Sequence, residues 1–333
     1  MSEHGNLNEY LFQRDFLQGY VNDYVSKGFR LAKFFTPQQT DADTFTKIKD
    51  EMTIDEAIES GRMHKPRPMV KNADIEMIAD EFYQTEIGYI RSIGYGIQVN
   101  EKLIKRDPTA VYTTLNRISK LAYLMALGLE NDCYEAMKTE AGIQGDALSG
   151  VGDLVGSGVT QTDITNAIID YGLAFDLDDI ADQELQYIVA RKGVLADIRK
   201  KLNSNEIIVN NDYTKIQGWT PDTSFNYAGV NFNIGSKTMQ NTEIFGLGTN
   251  QKLGNMFYVT EEGAFKPNIA IGEGANAFAP YINVTLEEPN RKEMKDVWTI
   301  RMKANVGVSI DNPKALLYDN NVGTLWVFKI GGV

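Results

Sequence analysis

DPTAVYTTLNRISKLAYLMALGLENDCYEAMKT, residues 107–139, reads as one uninterrupted helix. Asp107 is a good N-cap, and Pro108 falls at the first helical position, where its missing N–H is not needed. Apolar side chains recur at Val111, Leu115, Ile118, Ala122, Met125, Leu129 and Cys133, steps of four and three that hold one stripe. Gly142 is placed to stop the helix. At the usual rise such a rod is roughly 50 Å long, far above the average globular helix. A second set, Tyr112, Leu121, Tyr123, Leu124 and Leu127, widens the apolar surface, so the helix is expected to lie across a sheet.

Upstream, EFYQTEIGYIRSIGYGIQVNEKLI, residues 81–104, alternates with period two. Ile87, Tyr89, Ile93, Tyr95, Ile97, Val99 and Leu103 share one parity, broken by Arg91 and Glu101. A strand about twice the ordinary length fits one limb of a projecting hairpin, with the other limb within residues 30–50. Two ordinary strands bent at Gly94 or Gly96 is the competing reading. Residues 1–33, with Tyr10, Phe12, Phe16, Tyr20, Tyr24 and Phe29, read as an arm that packs on something else, interrupted at Gly19 and Gly28. Its removal is expected to leave a body that still folds. The polar segment that follows carries a short helix at MTIDEAIESGR, where Thr53 and Glu56 have capping-box spacing.

Downstream of the long helix, residues 160–175 form a second amphipathic helix capped by Thr162 or Asp163, with Ile164, Ala167, Ile168, Tyr171 and Leu173 apolar. LQYIVARKG is a short buried strand, and VLADIRKKLNS is a helix whose basic end suits its dipole. From Glu206 to about Val284 the chain is strand-and-turn material, and VWTIRMKANVGVSI is a half-exposed strand. Pairing between such distant pieces predicts an α+β fold.

Composition narrows the function. The chain has 333 residues, 43% hydrophobic and 23% charged, enough to bury a large core. A net charge of −12 argues against a protein whose main task is gripping nucleic acid, although enclosing it is compatible. One cysteine, Cys133, forms no intramolecular disulfide and reads as a small buried hydrophobe. The first ten residues lack a secretory pattern and no apolar run reaches membrane-spanning length, so a cytoplasm-like compartment and no membrane partner are expected. The only histidines are His4 and His64, and no cluster has metal-ligand spacing. No cofactor follows from the glycine-rich stretches. Residues 142–158 lack a closing Gly-Lys-Ser/Thr, NIGSKT at 233–238 separates Gly235 from Lys237, and GEGANA at 272–277 runs into a strand.

Three stretches carry a resemblance. TEIGYIRSIGYGIQVNEKLIKRD at 85–107 runs into the long helix, LQYIVARKGVLADIRKKLN at 185–203 is a strand–helix unit, and KDVWTIRMKANVGVSIDNPKALLY at 295–318 ends in Asn-Pro-x-Ala. In this order they resemble the major capsid proteins of tailed viruses, the Hong Kong 97 capsid fold, although Arg191-Lys192 stands where that family often has Asn-Pro. The resemblance implies an N-terminal arm (1–33), an extended loop (34–104), a spine helix (105–141), an axial domain with part of the peripheral domain at 162–203 (142–290), and a return to the peripheral domain (291–333). It implies a structural protein, not an enzyme, that assembles with itself into pentamers and hexamers of an icosahedral capsid around double-stranded DNA. Scaffold, portal and cement proteins are the implied partners, with assembly in a host cytoplasm. Phe34, Phe35, Tyr89, Arg91 and Tyr95 are the subunit-interface candidates on that reading.

Three other readings compete. An encapsulin-like compartment uses the same fold, but usually with shorter arms than the 36–80 segment here. A carboxylate-dependent enzyme would draw on Asp176, Asp178, Asp179 and Asp182, which more often form a solvated turn. A tail or baseplate protein would be expected to show repeated all-β modules.

Overall fold

The computed structural model describes residues 11–49, 84–144, 153–156, 158–176, 184–202, 225–248, 253–259, 282–289 and 297–323. In chain order the elements are α1 (Arg14–Gly28), β1 (Phe35–Gln39), β2 (Thr44–Lys49), β3 (Gln84–Tyr89), β4 (Arg91–Asn100), α2 (Glu101–Arg106), α3 (Pro108–Glu140) and β5 (Ile143–Gln144). They continue with α4 (Gln161–Asp176), β6 (Tyr187–Ala190), α5 (Lys192–Lys201), β7 (Phe225–Tyr227), β8 (Val230–Ile234), β9 (Ile244–Leu247), β10 (Gly254–Tyr258), β11 (Ile282–Glu287), β12 (Val297–Ile310) and β13 (Leu316–Asp319). The arrangement is α+β, as the scattered strand segments require. The short helix expected near residue 53, His4, His64, GEGANA and Asp178, Asp179 and Asp182 lie outside the described residues.

The long helix α3 runs 33 residues, with the Asp107 carboxylate accepting from the Thr109 N–H at 2.9 Å. Its whole stripe from Val111 to Cys133 is buried, while Tyr112 and Leu124 of the second set face solvent. The helix does not end on a left-handed glycine. Ala141 leaves it in extended geometry, and Gly142 is needed one residue later because a Cβ there would sit 2.8 Å from the Pro313 carbonyl oxygen.

The sheet under α3 is built on β12. Residues 299–304 pair with β11 and also with β4, so these two strands occupy opposite edges; β10 continues beyond β11 along 306–310, and β1 lies parallel to β10. The outer edge of β11 is closed by side chains of α1. Gln18 donates to Ile282 O and accepts from Val284 N at 2.7 and 2.9 Å, and Arg14 Nε donates to Val284 O at 3.0 Å. An amide side chain thus stands in for a strand, satisfying backbone groups that an open edge would leave unpaired.

The described part of residues 1–33 packs on its own subunit. Gly19 does not interrupt α1, and Leu11, Leu17, Val21, Phe29 and Leu31 are almost wholly buried against α3 and the sheet. Glu130, fully buried in α3, fastens this segment by accepting from the Arg30, Leu31 and Ala32 N–H groups at 2.7–3.0 Å. Burial pushes its carboxyl above the usual range, against the opposing pull of those three donors.

A second sheet, in the order β5-β13-β9-β6-β8-β7, has its own core with α4 and α5. The cap of α4 is Thr160 rather than Thr162 or Asp163. The Thr160 N–H and hydroxyl donate to the Asp163 carboxylate at 2.8 and 2.7 Å, a reciprocal first-turn arrangement that puts the cap two residues before Thr162. Of the five apolar positions expected on α4, Leu173 is the exposed one.

Candidate assembly interface

The alternating run 81–104 divides after Tyr89, not at Gly94 or Gly96, and its last turn is helical. Asn100 caps α2 by accepting from Lys102 N and Leu103 N, which ends the strand. β4 belongs to the main sheet along ten residues of β12. β3 leaves that sheet and pairs antiparallel with β2, Thr44 opposite Tyr89 and Lys49 opposite Gln84. The second limb therefore lies within residues 30–50, as expected.

The base of this two-stranded ribbon is pinned. Phe45 stacks on Phe257 with ring centroids 4.4 Å apart, and it fits only because Gly88 and Gly307 lie against it; a Cβ at either would come within 2.4 Å of the ring. Lys47 pairs with Glu140 at 2.6 Å in a mostly buried setting, and Arg91 Nη1 meets Asp132 Oδ1 at 3.0 Å. Burial raises the Asp132 carboxyl above its ordinary range, opposed by the Arg91 guanidinium. Both pairs tie the ribbon and the start of β4 to the C-terminal half of α3.

With Phe45 and Gly88 on the inner face, the pleat turns Ile87 and Tyr89 outward. They are 64% and 75% exposed, which is unusual for large apolar side chains on adjacent same-face positions. The far edge of β4 pairs with no described strand. Tyr95 is half-exposed. Phe34 is partly buried, edge-on to Tyr187, and Phe35 is 1% exposed in the subunit's own core. Tyr89 thus stands exposed at the end of β3, Arg91 at the start of β4 and Tyr95 four residues further along β4, whereas Phe35 is inside and Phe34 partly so. Ile87 had the same parity as Tyr89 in the alternation and was the signal available for it. Phe45 and Glu130 had none, since nothing local marks their distant partners.

Among the described residues no group of three His, Cys, Asp or Glu side chains is placed to hold a metal ion, and no helix is long and apolar enough to cross a membrane. Cys133 is buried, and desolvation holds its thiol well above the usual range.

No protein-family model matches the sequence, and no curated protein matches it. Solved structures do resemble the fold. The capsid of Ralstonia phage GP4 aligns at a TM-score of 0.53 and 7% identity over 88% of each chain. The capsid of cyanophage P-SCSP1u aligns at 0.52 and 8% over 86% of each. A phage-related protein from Bordetella bronchiseptica RB50 aligns at 0.53 and 11% over 93% of this chain and 97% of its own. Each of these alignments extends over most of both chains, so the likeness is one of the whole fold. The chain has the Hong Kong 97-like capsid fold.

Proposed function

We propose that the chain is a structural shell subunit that assembles with itself into pentamers and hexamers of an icosahedral viral capsid around double-stranded DNA. The observation that carries the reading is the ribbon: pinned at its base by Phe45, it presents Ile87 and Tyr89 to solvent, uncovered by the described residues of its own subunit. Head-to-tail contact between such a ribbon and the next copy repeats by rotation, so it closes into rings and then shells. The open edge of β4 offers backbone groups for a strand of a neighbouring copy, and Tyr89, Arg91 and Tyr95 flank it. The fold likeness to phage capsids supports the same conclusion.

On this reading residues 34–104 serve as the extended loop, 105–141 as the spine, 142–290 as the axial domain with 162–203 shared with the periphery, and 291–333 as the return. The described part of 1–33 then acts chiefly within its own subunit. Scaffold, portal and cement proteins are the partners in a host cytoplasm, the virion capsid is the destination, and the chain itself performs no catalysis. Negative-stain microscopy of the purified protein tests the proposal. Shells, or rings of five and six, are the expected result; a uniform monomer at high concentration overturns it. Shells recovered from producing cells with protein cargo and no nuclease-protected DNA would move the assignment to an encapsulin-like compartment.

A further inference from the structure

A cleft of about 390 Å³ opens where α1 ends, between the two cores, against the middle of α3 and the start of α5. Its walls carry Arg30, Arg191, Lys192 and Lys237, and among the described residues no carboxylate lines it. Four cations around one concavity repel one another and gain from an anion between them. Arg30 is partly desolvated, which lowers its pKa from the ordinary value while the Glu130 carboxylate behind it acts the other way. That carboxylate is already engaged with three backbone N–H groups. Lys237 Nζ lies 5.2 Å from the Tyr123 ring centroid, a contact that orients the ammonium without neutralising it.

The uncharged part of the wall has the same polarity. Arg191 is the N-cap of α5, and its side chain does not cap the helix, so the first-turn N–H groups beginning at Lys192 and Gly193 have no intrahelical acceptor. Both residues line the cleft. Ser236, 1% exposed, accepts at Oγ from the Thr238 N–H at 3.3 Å and the Thr238 hydroxyl at 2.9 Å, which leaves its own proton to donate. Guanidinium forks, first-turn amides and a hydroxyl around one cleft form a donor set for tetrahedral oxyanions. The stretch NIGSKT has the wrong spacing for a nucleotide loop, yet its Gly235, Ser236 and Lys237 all reach this cleft.

We infer that the cleft between α1, α3 and the start of α5 binds a phosphate-class oxyanion. The volume admits more than one phosphate group. Phosphate chemistry reaches it from two sources, a free phosphate or polyphosphate and the phosphodiester backbone of nucleic acid. The proposal stands independently of shell assembly, because every residue in it belongs to one chain. The ligand would touch α1, α3, α5 and the turn after β8 together, so binding stabilises the seating of the two cores on each other.

The probes are inorganic phosphate and tripolyphosphate, compared with chloride at equal ionic strength. Binding is measured by isothermal titration calorimetry and by thermal unfolding of the full chain. Tripolyphosphate is expected to bind as a single saturable class and to raise Tm by roughly 3–6 °C at about a hundredfold excess over its dissociation constant. The Arg191→Gln/Lys192→Gln variant should bind about tenfold more weakly or worse, whereas Arg199→Gln/Lys200→Gln, with the same charge change at the other end of α5, should bind as the parent does. A short oligodeoxynucleotide that competes with tripolyphosphate assigns the site to phosphodiesters, and one that does not assigns it to the free anion. No binding of either probe by the parent, or equal binding by both variants, overturns the proposal. If neither probe binds and the Arg191/Lys192 variant alone loses self-association, the cleft receives carboxylates of another copy instead, which also overturns it.

Discussion

At the residue scale, the described body is held by buried polar side chains as well as by the apolar stripe. Glu130 accepts three backbone donors, and Glu243 gathers the Tyr134 and Tyr318 hydroxyls at 2.7–2.9 Å with the Gln240 N–H at 2.8 Å. That second carboxylate and burial together push the Tyr134 hydroxyl far above its ordinary pKa, burial being the larger cause. Glu130→Ala leaves three donors without an acceptor, and a loss of about 3–5 kcal/mol is expected in urea unfolding. A loss under about 1 kcal/mol would mean that water replaces the carboxylate. Lys33 provides a pH test. Burial and the adjacent Arg30 push its ammonium down to about 7 from 10.5, with Glu130 opposing. Between those values the unfolded chain binds a proton that the folded chain does not, so stability rises with pH across that window, and below about pH 7 the full cost of burying the charge is present. Lys33→Met removes this pH dependence. Raising pH from 6.5 to 9 should therefore stabilise the parent over the variant by about 1–2 kcal/mol, after allowance for partial solvation. Parallel pH curves would reject the assignment.

At the scale of elements, two predictions separate the ribbon from the body. Phe45→Ala empties the space between Gly88, Gly307 and Phe257, a change worth about 3 kcal/mol. Because the ribbon meets the body mainly at its base, amide exchange should accelerate over 44–49 and 84–89 while α3 keeps its protection. Uniform acceleration would show that the ribbon and body open as one unit. Deleting residues 1–33 is expected to give insoluble or unfolded protein, since α1 supplies Leu17, Val21 and Val25 to the main core and closes the β11 edge. A cooperative thermal transition in the truncated chain would return this segment to the role of a detachable arm. The aromatic spacing of 10–29 showed that the segment packs on something, but not whether that surface lay in its own subunit, because period alone carries no partner.

For the molecule as a whole, the proposed shell depends on the outward face of the ribbon. Ile87→Asp/Tyr89→Asp should abolish shells in negative stain and leave the monomer's melting temperature within about 1 °C, since neither side chain contributes much to the core. Intact shells from that variant would remove the ribbon face from the interface. The α3 helix, its cap at Asp107 and its buried stripe were determined by sequence alone, because capping, proline position and a 3.6-residue period act within one element. So were the α+β class, the strand at 187–190 and the basic end of α5. Tertiary structure alone decided that 84–89 leaves the sheet while 91–100 stays, that α1 belongs to the body, that Phe35 turns inward, and that Arg30, Arg191, Lys192 and Lys237 meet around one cleft. Each of these outcomes depends on contacts between residues tens to hundreds of positions apart, and periodicity along the chain records which side of an element is apolar, not which distant surface will cover it.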